Sequence, residues 1–100
     1  MSITNRFISD VGEYQIVLSG KFDFSKLNEF RTAYENAPGE AKKYAIDMRA
    51  VDMIDSSALG MLLLLRDHAG GDNSNIKLQN CNEDIKKILT ISNFEQLFSI

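Results

Sequence analysis

An α/β domain built on a small mixed, mainly parallel sheet is the fold this sequence predicts, and three observations predict it. Four short runs rich in β-branched and aromatic residues alternate with three runs of helical periodicity, in the order β-β-α-β-α-β-α. The first two strand runs are separated only by a turn, which makes them an antiparallel hairpin. The later strands are separated by helices, so they need right-handed crossovers between parallel neighbours. One domain over 1–100 is expected, because a chain of 100 residues buries enough surface for one core and too little for two.

Each element has its own warrant. Residues 3–8 are a first strand and 14–18 (Tyr-Gln-Ile-Val-Leu) a second, with 10–13 as the turn between them and Ser19-Gly20 as the stop. Ser25 is the expected N-cap of the first helix, since Leu27, Phe30 and Tyr34 follow at helical spacing and Ala33 and Ala37 widen the stripe. Pro38 and Gly39 close that helix. Residues 44–48 form a mostly apolar central strand, and 49–53 are expected to be a connection. Asp55, Ser56 and Ser57 offer capping oxygens to a second helix that is apolar almost all round and stops at Gly70 and Gly71. Only a helix sandwiched against a sheet, or facing a partner on its other side, buries so wide an apolar surface. Ile76–Gln79 alternates as a strand, and Asn82 caps a third helix with Glu83 and Asp84 at its positive end and Ile85, Ile88 and Leu89 as its buried stripe. The tail 94–100 is apolar enough to dock on the domain.

Composition removes several classes of function. The chain carries 14 acidic and 11 basic side chains, a net charge of −3, and this offers no basic footprint for nucleic acid or a membrane surface. One cysteine, Cys81, and one histidine, His68, are too few for a protein-only zinc site. The polar opening residues lack a signal-peptide core, and the longest apolar run, 58–65, contains Gly60 and is too short to span a bilayer. A cytoplasmic setting is the expectation.

The stretch that carries chemistry is Asp52-Met53-Ile54-Asp55-Ser56-Ser57-Ala58-Leu59-Gly60. It places two serines in the first turn of a helix directly after a strand connection, where unpaired amides and the positive end of the macrodipole hold an anion with little reorganisation. From spacing alone, Asp55 or Ser56 acting only as a cap is the more common arrangement. A serine hydrolase elbow needs Gly-x-Ser-x-Gly, but Ile54 and Ala58 stand at the glycine positions around Ser56. His68 ends the same helix, a rise of about 18 Å away, so it cannot act as a base on Ser56. No phosphate-cradling loop is present, and Gly70 and Gly71 lead into ordinary turn residues. Asp47 reads as a structural carboxylate that holds nearby loop amides. Asp23, in the loop after the second strand, is expected to fall at the same end of the sheet as Ser56. Cys81, beside the third helix, reads as a buried small apolar residue, with nothing cationic beside it to make a reactive thiolate.

Gly20-Lys21-Phe22-Asp23, the strand Ala45-Ile46-Asp47-Met48 and the run 51–60 together resemble the STAS-domain anti-sigma factor antagonists, over almost the whole chain. The resemblance implies a sheet with helices packed mainly on one face. It also implies a non-enzymatic partner switch in a bacterial pathway. In that family a serine directly after the aspartate is phosphorylated by a partner serine kinase of the anti-sigma type. By position that residue is Ser56, with Asp23, Asp55, Ser57, Ala58, Gly60 and Met61 as partner-binding neighbours. A phosphatase of the PP2C kind would reverse the modification, and the output would be a sigma factor or a biofilm or polysaccharide pathway. No cofactor is expected of this chain, because ATP belongs to the kinase, and the free form is expected to be a monomer. Ala58 departs from the family pattern, which has glycine there, and so stiffens the helix start. Two other readings stand beside this one: a constitutive interaction module in which Ser56 is only a cap, and a small-ligand or nucleotide-binding STAS domain.

Overall fold

A computed structural model describes residues 3–100, so the first two residues of the expected domain lie outside the described residues. Its order is β1 (Ile3–Ile8), β2 (Glu13–Phe22), α1 (Leu27–Glu35), β3 (Lys43–Ile54), α2 (Ser56–His68), β4 (Ile76–Gln79) and α3 (Glu83–Ile91). The four strands form one sheet in the order β1-β2-β3-β4. β1 pairs antiparallel with β2, while the β2–β3 and β3–β4 pairings are parallel. This is the expected mixed, mainly parallel sheet.

Alternation along β2 sends Tyr14, Ile16 and Leu18 into one core with Ile46 and Met48 of β3, Phe30 of α1, Leu62 and Leu65 of α2, and Ile85 and Leu89 of α3. The helices thus pack on one face. Gln15 and Val17 turn to the opposite face, which stays partly open to solvent. The tail docks as expected: Phe94 and Phe98 are buried with their rings stacked, and Ser99 bridges to Lys77 alongside β4.

Three local expectations need correction. Residues 49–53 are not a connection, because β3 continues to Ile54, pairing Ser19 with Ala50, Gly20 with Val51, Lys21 with Met53 and Phe22 with Ile54. Two register shifts, between Val17 and Ser19 and between Gly20 and Lys21, break the side-chain alternation and hide the strand from pattern reading. Gly20 sits at a shift with φ 75°, a conformation that costs glycine least. Ser25 does not cap α1. Asp23 caps a 3-10 turn over Phe24–Lys26, and α1 starts only at Leu27. Finally, α1 ends at Glu35, short of Pro38, and the hydroxyl of Tyr14 donates to the Ala33 carbonyl at 2.6 Å in the interior. That bond serves a carbonyl in the last helical turn, where intrahelical donors run out.

Candidate functional site

Pairing of Phe22 with Ile54 sets the site, because the residue directly after each strand is an aspartate, Asp23 after β2 and Asp55 after β3. The two carboxylates are close enough for Asp23 to push the Asp55 carboxyl upward against the hydrogen bonds that lower it. Each caps the turn that follows. Asp23 Oδ1 accepts from the Ser25 amide at 3.0 Å and the Ser25 hydroxyl at 2.5 Å. Asp55 Oδ1 accepts from the Ser57 hydroxyl at 2.6 Å and the Ala58 amide at 3.1 Å. Hydrogen bonds from Ser57 and Ala58 hold Asp55, and those from Ser25 hold Asp23, below the ordinary carboxylate range. The loop after β2 and the start of α2 therefore share one end of the sheet.

Asp55 is the N-cap of α2 and Ser56 its first helical residue. The cap question left open by spacing is thereby answered for the fold: the capping oxygen belongs to Asp55. Ser56 is exposed, and its hydroxyl forms no hydrogen bond among the described residues, whereas the half-buried Ser57 spends its hydroxyl on Asp55. Ser56 thus presents the free nucleophilic oxygen of the pair.

The remaining expected neighbours divide between surface and interior. Gly60 is exposed, and a Cβ there would meet no atom within 4 Å. Ala58 and Met61 are buried, at 0% and 2% exposure, so neither offers surface to a partner. The buried stripe of α2 is Ala58, Met61, Leu62 and Leu65, at the spacing of a single helix face. An all-apolar helix does not reveal from sequence which stripe meets the sheet, and the sheet selects this one. Leu63 and Leu64 are left exposed, as are Phe24, directly after Asp23, and Met53, two residues before Asp55. Phe24 and Met53, which flank the two aspartates in sequence, escaped the sequence reading, although a phenylalanine in a polar loop was a signal for one of them.

Asp47 holds the structural role expected of it, accepting from the Arg49 amide at 2.9 Å and from Asn80 Nδ2 at 3.1 Å. His68 lies at the far end of α2 with its ring 5.0 Å from that of Tyr34, so no imidazole approaches Ser56. Among the described residues no group of three His, Cys, Asp or Glu side chains is placed to hold a metal, and no helix is long and apolar enough to cross a membrane.

The comparisons with known proteins agree with this architecture. The family model described as Mlab, STAS domain, matches residues 7–99. A STAS-domain containing protein of Pseudomonas aeruginosa (strain UCBPP-PA14) is 52% identical over 100 residues, covering 100% of this chain and 99% of the relative. Among solved structures, a candidate anti-sigma factor antagonist from Thermotoga maritima superposes with a TM-score of 0.82 at 15% identity, covering 98% of this chain and 84% of that one. The Bacillus cell fate determinant SpoIIAA in its phosphorylated form superposes with a TM-score of 0.74 at 16% identity, covering 97% of this chain and 88% of that one. The structural likenesses carry the fold, and the family model together with full-length identity carries the kinship: this chain belongs to the STAS-domain family.

Proposed function

We propose that this protein is a phosphorylation-controlled, non-enzymatic protein-binding regulator of the anti-sigma factor antagonist type, with Ser56 as the switch residue. The observation that carries the proposal is the contrast between the two serines at the start of α2: Ser56 is exposed with its hydroxyl unengaged, and Ser57 is tied to the cap. The likeness to SpoIIAA, whose structures include a phosphorylated and an unphosphorylated form, supports the same reading.

A phosphate on Ser56 brings about −1.5 to −2 charges to a helix N-terminus, whose amides and dipole favour it within the domain. The neighbouring carboxylates of Asp23 and Asp55 oppose it, so the modified end becomes strongly anionic while the fold is kept. A partner packed over α2 would have to desolvate that dianion, at a cost of roughly 2 to 5 kcal/mol. Binding then falls by tens to thousands of fold. The unphosphorylated form binds a serine kinase of the anti-sigma type, phosphorylation releases it, and a PP2C-type phosphatase restores binding. The output is a sigma factor or a biofilm or polysaccharide pathway, in the cytoplasm of a bacterium.

Intact-mass and site-mapping spectrometry on the chain isolated from its own cells, with phosphatase inhibitors present, tests the reading. Phosphate at Ser56, with Ser56→Ala binding its partner constitutively and Ser56→Asp binding weakly, is the expected result. An unmodified chain across growth conditions, or equal function of the two variants, overturns it.

A further inference from the structure

Where the face of the sheet away from the helices meets the β4–α3 loop, beside the middle of β3 and the end of β4, lies a groove of about 590 Å³, lined in part by Asp47, Arg49, Lys77, Asn80, Lys86 and Ile100. That volume suits one small molecule. Three cationic side chains, Arg49, Lys77 and Lys86, line the groove against the one carboxylate side chain of Asp47, with Glu13 beside Lys77, in a protein of net charge −3. The Asp47 carboxylate is already engaged, since its Oδ1 accepts from the Arg49 amide and from Asn80 Nδ2. The cations are largely unengaged. Lys77 has a long 3.8 Å contact with Glu13, and the side chains of Arg49 and Lys86 form no hydrogen bond or ion pair among the described residues.

The walls are also held in place before any ligand arrives. The Asn80 side chain bonds across 33 residues to Asp47, which fixes the β4–α3 loop at a residue with φ 60°. On the other side, Ser99 accepts from the Leu78 amide at 2.7 Å and donates to the Ile76 carbonyl at 2.9 Å, and this places Ile100 at the rim. The backbone that carries the three cations is thereby fixed, which lowers the ordering cost of binding. One anionic charge would leave the other cations uncompensated, so the complement is multivalent.

The geometry points to a binding site for a small polyanion, a molecule bearing two or more carboxylate or phosphate groups, on the open face of the sheet. The site is independent of Ser56, which lies at the start of α2 and does not line the groove.

Titration of the ¹⁵N-labelled protein with citrate and with pyrophosphate, at ionic strength held constant with sodium chloride, tests the assignment and separates carboxylate from phosphate sources. The expected result is saturable amide shifts at Arg49, Lys77, Asn80 and Lys86 for at least one probe. The Arg49→Ala/Lys86→Ala variant, altered only at exposed side chains, keeps the folded spectrum and weakens that probe by about tenfold or more, as loss of two charge-assisted contacts requires. Shifts that fail to saturate, that map to the start of α2, or that persist unchanged in the variant overturn the proposal. Tighter binding of a glutamate-rich peptide than of either probe also overturns it, in favour of an acidic protein segment.

Discussion

Asp23 and Asp55 stand side by side at the carboxyl ends of β2 and β3, one residue beyond the paired Phe22 and Ile54, and each uses its Oδ1 to cap the turn that follows. Both carboxyls are held below their ordinary range, chiefly by hydrogen bonds from Ser25 and from Ser57 respectively. A carboxyl lowered in the folded state stabilises above its unfolded value, about 3.9 for aspartate, and that contribution disappears as pH falls through the lowered folded value. The variant Asp23→Asn/Asp55→Asn should therefore match the parent near neutrality, because asparagine also caps, and lose less stability on acidification. Denaturant melts from pH 7 to pH 2 check this. Parallel acid profiles for the two proteins would contradict it.

Capping by Asp55 and not Ser56 separates two alanine variants. Asp55→Ala should lower the melting temperature by several degrees, since it removes the acceptor for the Ala58 amide and the Ser57 hydroxyl. Ser56→Ala should stay within about 0.5 kcal/mol of the parent, as an exposed residue outside the cap does. A larger loss from Ser56→Ala in thermal unfolding would return the capping role to that serine.

The two sides of α2 differ in the same way. Leu62 has 0% exposure and Leu64 has 48%. Leu62→Ala should cost about 2–5 kcal/mol through lost transfer energy and the cavity left behind. Leu64→Ala should change stability by no more than about 0.5 kcal/mol. Chemical denaturation of both variants reads the difference directly, and comparable losses would mean that Leu64 is covered.

Tyr14 bonds the Ala33 carbonyl through a buried hydroxyl. Tyr14→Phe keeps the ring and its edge-on contact with Tyr44 but strips that carbonyl of its donor. The expected loss is about 1–3 kcal/mol, the cost of a buried unsatisfied polar group. Urea unfolding measures it, and an unchanged midpoint would show that the carbonyl finds another partner.

Cys81 is half-buried, and burial pushes its thiol up more strongly than the Lys86 charge lowers it. Alkylation by iodoacetamide at pH 7 should be slower in the folded protein than in urea, and it should accelerate as pH rises. Equal rates in the two states would show an open, activated thiol.

The elements most legible in the sequence were those with a complete local signal. Asn82, with Glu83 and Asp84 behind it, marked the start of α3, and its Oδ1 does accept from the Ile85 amide at 2.8 Å. Gly70 marked the end of α2 and takes the left-handed conformation there. The far half of β3 was not legible. Its pairing with β2 depends on two shifts of backbone register, and side-chain alternation carries no record of where a partner strand slips.

By itself the amino-acid order determined the succession of strands and helices, the mixed sheet and the placement of Ser56 at a helix start, because periodicity, caps and turns act over a few neighbouring residues. Only the tertiary structure decided that Asp23 joins Asp55, that Asp55 and not Ser56 is the cap, and that Met61 is interior while Leu63 and Leu64 are not. Those outcomes depend on which strand lies beside which and on which stripe of an apolar helix meets the sheet. Contacts between separate elements settle both, and no local pattern encodes them.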